Sequence, residues 1–450
     1  MLDDSHTRLQ QLTALAQELL ELCQAEGATQ AEVSCSQSRG LNVNVRLGEV
    51  DTVEATRDRG IGVTVYFGQR SGSANTADIS PDSLRATVQQ ACAIARFTED
   101  DPAAGLADPE RMACPDAEGR FPEFDAWHPW DVDAERAIDI ALQCEQAGRD
   151  ADPGIRNSDG ASVSSQQSLG VYANSHGFIG PGRSTQHSVG CALIAGVGER
   201  MQREGWYSVA LAADDLESAQ AIGRRAAERT LARLDPRPLA TGTWPVLFCA
   251  EVARSLIGHL LAAVSGGALY RQASFLLGKA GQRIFPEWLS IHEQPFIPRG
   301  LRSAAFDAEG VATCESALVE DGILQRYVLG SYSARKLGLT STGNAGGVHN
   351  LVVGANAGDF SELIKNMGQG LVVTGLMGQG VNTVTGDYSR GAEGFWVENG
   401  QLAYPVDNVT IAGNMASMFQ MIDAVGSDID PRSHIQTGSI LIQGLTVAGE

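Results

Sequence analysis

Lysine is nearly missing from this 450-residue chain. Lys279, Lys336 and Lys365 are the only three, and the other basic residues are all arginine, a bias read as base composition rather than function. Basic charge is short in total as well: 33 Lys and Arg stand against 54 Asp and Glu, a formal net charge of −21. Nucleic-acid binders present a basic face to phosphate, so a polyanion groove is not expected. Long apolar runs are absent too. The stretch nearest membrane length, Leu256 to Val264, is broken by Gly258 and His259 and falls short of the roughly 20 residues a span needs. The polar, acidic start "MLDDSHTRLQQL" lacks the basic and apolar regions of a secretory signal. The eight cysteines are scattered, with no C-x-x-C pair. Free thiols in a reducing, cytoplasmic setting are therefore expected, with no membrane association.

What the chain does have is length and apolar content. Its 43% apolar residues suffice for full cores, and its length implies two or three domains. Leucines 9, 12, 15, 19 and 22 recur at helical spacing, predicting a helix over 7–26. Alternating segments follow, with a turn at Leu47-Gly48-Glu49, and read as an antiparallel meander. Ser80-Pro81 opens a helix to Phe97, with serine as cap and proline in its first turn. Residues 98–130, rich in Pro, Asp and Gly, form a long irregular connection. Asp131 caps a helix ending near Gly148, strands return over 161–175 and 184–198, and a helix spans about 214–234. The segment "LDPRPLATGTWP" (234–245), with three prolines, reads as a linker. The expected architecture is α+β in two domains, 1–235 and a strand-rich 245–450. In the second, Asp321-Gly322 and Asn399-Gly400 mark two-residue hairpin turns that need positive φ.

The candidate sites lie in the second half. "EVARSLIGHLLAAVSGG" (251–267) reads as one helix carrying Glu251 and His259. A zinc-protease helix needs two histidines about one turn apart beside a glutamate. Glu251 and His259 are eight positions apart and diverge by about 80°. Ser255 and Ala263, four residues either side of His259, cannot hold zinc. His259 is expected to be a partly buried helix residue with one hydrogen bond, and no metal is expected on this helix. "GDYSRG" (386–391) frames Asp387, Tyr388, Ser389 and Arg390 with glycines. Glycine lets backbone approach a ligand and arginine suits carboxylates, so these residues are candidates for peptide contact, with a tight turn and a solvated ion pair as the alternative. "TGNAGGVHN" (342–350) adds His349 to the peptide-binding candidates and lacks the context of a dinucleotide loop. No catalytic residue is assigned. A hydrolase built on Ser389 is the weakest option, because no G-x-S-x-G elbow occurs.

Beyond these motifs, four segments are familiar together: "EVARSLIGHLLAAVSGGALYRQASFLLGKAGQRI", "SYSARKLGLTSTGNAGGVHN", "GLVVTGLMGQGVNTVTGDYSRGAEGFWVENGQLAYPV" and "VTIAGNM". They resemble the TldD/PmbA family, often called modulators of DNA gyrase, and within it the PmbA (TldE) branch. "GVTVYFGQRSGSANT" agrees more loosely, so the likeness covers nearly the whole chain. The resemblance implies a cytoplasmic peptidase system that degrades unfolded peptides or trims precursors. It implies a TldD partner subunit carrying an H-E-x-x-x-H zinc motif on the helix equivalent to 251–264 and a cysteine ligand near the C-terminus. Here no H-E-x-x-x-H occurs, and Thr437 stands about where the cysteine would fall. The chain thus resembles the subunit without metal: no cofactor of its own, zinc in its partner, a heterodimer with that partner and a homodimer when alone. A peptide could be held by addition to a sheet edge of the second domain. The alternative reading is a stand-alone peptide-binding or regulatory protein linked to gyrase or a toxin–antitoxin pair, without protease activity.

Overall fold

A computed structural model describes residues 4–449. The first half is one long antiparallel sheet with four helices on a single face. In chain order it comprises α1 (Ser5–Ala25), β1 (Gln30–Arg46), β2 (Glu49–Phe67), β3 (Arg70–Thr76), α2 (Pro81–Phe97), α3 (Ala134–Arg149), β4 (Ile155–Asn174), β5 (Ile179–Ala195), β6 (Gln202–Ala210) and α4 (Ala219–Ala232). The spatial strand order is β3-β2-β1-β4-β5-β6. Side chains alternate along a strand, so odd positions of β1 (Val33, Cys35, Val43, Val45) and β4 (Val163, Leu169, Val171) all face the helices. Even positions such as Ser34, Asn42, Asn44 and Ser164 carry the polar face. The predicted meander is one pair of long strands: Leu47 (φ 54°) and Gly48 (φ 82°) form the turn between β1 and β2.

Local details differ from the sequence reading. Ser80 stands at the cap of α2 but its hydroxyl bonds Asp78 instead of the helix. The cap of α3 is Asp133, not Asp131, because its carboxylate reaches the amide of Arg136 at 2.8 Å. α4 starts at Ala219, capped by Ser218, since 213–215 forms a separate 3₁₀ turn. The irregular stretch 98–130 straps the first half to the second. Arg335 donates to the carbonyls of Gly105 and Leu106, and Tyr332 to Asp101.

The second half contains β7 (Gly242–Phe248), α5 (Ala250–Val264), α6 (Gly266–Tyr270), β8 (Ile291–Glu293), β9 (Ser316–Glu320), β10 (Ile323–Leu324), α7 (Ser331–Leu337), β11 (Leu351–Val353), α8 (Phe360–Met367), β12 (Gly370–Met377), β13 (Asp387–Glu398), β14 (Gln401–Asn414), α9 (Met415–Gln420), β15 (Ile422–Val425), β16 (Ile435–Gln436) and β17 (Ile440–Ala448). The end of the proline-rich segment is therefore strand: Trp244 and Pro245 belong to β7, at a register irregularity opposite β17. Five strands run β14-β13-β12-β7-β17, and a further pairing of β14 with β17 closes them on themselves, with β15 beside β17. Closure removes sheet edges. The long unpaired edge lies instead on β2, whose residues 49–60 extend past the end of β3. Both predicted hairpin turns are present, with φ of 47° and 75° at Asp321-Gly322 and 52° and 71° at Asn399-Gly400. A smaller sheet, β10-β9-β8-β11-β16, completes this half, and α5 packs into the main core through Ala253, Leu256, Ile257, Leu260 and Val264.

Candidate functional site

The N-terminus of α5 opens into a cleft of about 790 Å³ between the two halves. Cys249 caps the helix without a side-chain hydrogen bond, and the free amide of Ala250 instead donates to the Ser439 hydroxyl at 3.1 Å. Asp428 fixes that hydroxyl at 2.6 Å. Glu251 follows in the first turn, where the helix dipole favours a carboxylate. Its two oxygens each meet Arg229 of α4 at 2.9 Å, and Arg432 approaches at 3.5 Å. This ion pair crosses from one half of the molecule to the other.

Around Glu251 the cleft is lined by arginine, carboxylate and tryptophan. Trp206 lies between two guanidinium groups, with Arg225 and Arg432 each 3.7 Å from its ring centroid. Arg432 also binds Asp430 with both arms, at 2.8 and 3.2 Å, and donates to the Tyr207 carbonyl. Burial works against its charge, but the Asp430 bonds and the nearby Asp430 and Glu251 charges outweigh this and raise its pKa. Cys249 lines the same cleft, but burial pushes its thiol up to about 12, so it is not a thiolate nucleophile at neutral pH. No spacing in the sequence links Trp206, Arg229 and Arg432, and only the packing of α4 and the 428–432 loop against α5 brings them to Glu251.

The residues do not fit a zinc ion. An H-E-x-x-x-H pattern around Glu251 would place its histidines at Ala250 and Ser255, and neither can take the role. Ser255 spends its hydroxyl on the Val252 carbonyl at 2.6 Å. The 437–439 segment does reach the start of α5, through Ser439, but Thr437 is fully buried and bonds the Gly438 carbonyl. Among the described residues no three His, Cys, Asp or Glu side chains are grouped to hold a metal.

The peptide-contact candidates fall into three places. Asp387 and Ser389 face a shallow groove with Gly380 and Val384, and Thr385 and Asn414 hold the Asp387 carboxylate below the usual range. Tyr388 and Arg390 point to the other side of β13, toward α5, where Tyr388 meets His259 edge-on at 6.1 Å. Strand alternation thus splits a motif that reads as one loop, and Asp387 and Arg390 form no ion pair. His259 differs from expectation: its Nε2 is buried with no hydrogen-bond partner, and burial, with the Arg390 charge, lowers its pKa. His349 belongs to neither group. It is buried, its backbone amide and Nδ1 both bonding Glu293 at 2.7 and 2.9 Å, and the same carboxylate holds Arg326 and Asn344. Burial favours the neutral acid at Glu293, but these partners outweigh it and hold the pKa below the usual carboxylate range. His349 therefore serves a buried structural network.

Comparison with known proteins agrees with this architecture. Three family models of the PmbA/TldA metallopeptidases match in order: domain 1 over residues 31–95, the central domain over 127–234 and the C-terminal domain over 241–449. The chain is 47% identical to the metalloprotease PmbA of Escherichia coli O157:H7 over 93% of its own length and 92% of that protein's. A crystal structure of a candidate modulator of DNA gyrase from Bacteroides thetaiotaomicron superposes with a TM-score of 0.91 at 26% identity, covering 97% of this chain and 98% of that one. TldE from Thermococcus kodakarensis shares the fold, with a TM-score of 0.81 at 21% identity over 97% of this chain and 100% of that one. The sheet-plus-helices first half and the closed-strand second half are thus the frame of a known group, and the chain belongs to the PmbA/TldD metallopeptidase family.

Proposed function

We propose that this chain is the non-metal subunit of a heteromeric TldD/TldE-type metalloprotease acting on unfolded peptides in the cytoplasm. One observation carries the reading. The first turn of α5 keeps Glu251 but flanks it with Ala250 and Ser255, and Arg229 and Arg432 take up its carboxylate. A glutamate held in ion pairs is a poor general base. Its free-energy contribution goes into fixing the two halves around the cleft. The subunit would complete a peptide chamber and stabilise a metal-bearing partner. Backbone pairing with extended peptide is better served by the open edge of β2 than by the closed strands of the second half.

The test is reconstitution. The chain is purified alone and with a TldD-type subunit, and zinc content and cleavage of an unfolded peptide are measured. The pair is expected to co-purify, carry zinc and cleave, while the isolated chain holds well under about one zinc per molecule and is inactive. Chelator-sensitive cleavage by the chain alone, with stoichiometric zinc, overturns the proposal. So does failure to associate with any metal-bearing family member.

A further inference from the structure

Three side chains that meet between α5 and β13 each bury a polar atom with no acceptor among the described residues. Tyr388 is only 1% exposed, yet its hydroxyl proton has no acceptor among the described residues, and its one polar neighbour is the Arg390 guanidinium, itself a donor. The His259 imidazole stands against its ring, and Nε2 is likewise buried and unpartnered. Arg390, two residues along the same face of β13, has a buried Nε without an acceptor, and its guanidinium forms no ion pair among the described residues. Of the other arginines with a buried, unpartnered Nε, Arg39 on the first-half sheet also lacks an ion pair among the described residues, whereas Arg229, Arg233 and Arg326 have one. Arg254 and Arg432 are paired with carboxylates as well, in a chain with a net charge of −21. Buried donors persist in folded proteins where something accepts from them, so the cluster calls for an acceptor from outside the chain. The flank of α5 beside it is open. A Cβ on Gly258 would meet nothing within 4 Å, and Ala262 is exposed.

We infer that His259, Tyr388 and Arg390 form a binding site for a single carboxylate, the free C-terminal carboxylate of a peptide. Charge selects the class. Arg390 contributes one positive charge, burial keeps His259 neutral, and burial raises Tyr388 to about 12, so it stays protonated. A site of charge +1 matches a monoanion better than a phosphate dianion. The planar guanidinium fork matches the two oxygens of a carboxylate, with the tyrosine hydroxyl and imidazole as further donors. The position also fits. Ser255, which stands where the H-E-x-x-x-H pattern has its second histidine, is one turn from His259 on α5. The chain thus carries an anion site on the flank of its ligand-free metal helix. The choice of a peptide as ligand rests on the peptide-handling role proposed above.

The experiment uses the full chain alone. An acetylated Ala/Leu pentapeptide is titrated calorimetrically as the free acid, as the C-terminal amide and as an amide with one internal aspartate, with acetate as the bare carboxylate. The free acid is expected to bind about tenfold more tightly than the plain amide, the scale of a charge-assisted pair. Arg390→Gln should abolish that preference, and Tyr388→Phe should reduce it severalfold. The His259 ring, followed by NMR, should gain a higher pKa with the free acid or acetate and not with the plain amide, because the bound charge favours imidazolium. Arg390 is the charged group that bears on His259, so that shift reports this site. Equal affinity for acid and amide overturns the inference, and so does a preference that survives Arg390→Gln. An internal aspartate that binds as well as the C-terminal acid overturns the C-terminal assignment. The acid–amide comparison and Tyr388→Phe decide the matter even if Arg390→Gln does not fold. Because neither zinc nor the partner is involved, failure here leaves the subunit proposal standing, and failure of reconstitution does not alter this result.

Discussion

Replacing Arg432 with methionine tests how the cleft is held. The side chain is nearly buried and anchors four things: both oxygens of Asp430, the Tyr207 carbonyl, the approach to Glu251 and the face of Trp206 at 3.7 Å. Methionine keeps most of the stem's packing but strands the Asp430 carboxylate, which is itself only 5% exposed at the side chain. Removing one partner of a buried pair costs about 3–5 kcal/mol. Arg254, 3.8 Å from Asp430, and the Arg432 backbone amide, at 3.0 Å, remain to offset part of it. The loss should therefore fall near the low end, about 3 kcal/mol. For a cooperative unit the size of the second half that corresponds to a Tm lowered by about 6–12 °C. Differential scanning calorimetry with matched denaturant unfolding measures it. Asp430→Asn added to Arg432→Met should recover much of the loss, because the cost lies in the unpaired charge. A Tm change under about 1 °C, or a double variant no better than the single one, refutes the reasoning.

Other outcomes are open to measurement. Glu293 has a depressed pKa in the folded chain, so its ion pairs stabilise fully above the ordinary carboxylate range and are lost as pH falls through the folded value. Wild type should therefore lose stability below about pH 4.5 more steeply than Glu293→Gln, compared by urea unfolding at several pH values. Gly322→Ala should destabilise more than Gly338→Ala. Both have positive φ (75° and 65°), but at Gly322 a Cβ would strike the Phe285 and Pro286 carbonyls, whereas at Gly338 it meets nothing within 4 Å. The second should lose about 1 kcal/mol and the first clearly more. Of the eight cysteines only Cys114 and Cys314 are exposed, so a thiol reagent should titrate two groups rapidly in the native protein and the rest on unfolding. Uniform labelling of all eight would contradict the packing.

Local chemistry wrote the hairpins into the sequence. Asp321-Gly322 and Asn399-Gly400 are turns because few residues tolerate positive φ at adjacent positions, and that restriction needs no tertiary context, whereas at Leu47-Gly48 only the glycine carries that signal and Leu47 adopts φ 54° against its preference. Helical spacing of leucine and strand alternation likewise marked α1 and the meander, since each follows from a backbone period. Helix starts were legible only to within a few residues: Asp131 and Asp133 offer the same carboxylate, and backbone geometry decides which one reaches the helix. The missing zinc ligands were also a matter of sequence alone, because no packing gives Ala250 or Ser255 an imidazole. Tertiary structure decided what surrounds that helix. Strand alternation sent Tyr388 and Arg390 to His259 and left Asp387 and Ser389 in another groove, while His349 went into a buried carboxylate network. Arg229 and Arg432, 203 positions apart in the chain, reach one carboxylate because α4 and the 428–432 loop both pack against the start of α5. Charge pairing across such separations has no period and no motif, so it exists only once the two halves are docked.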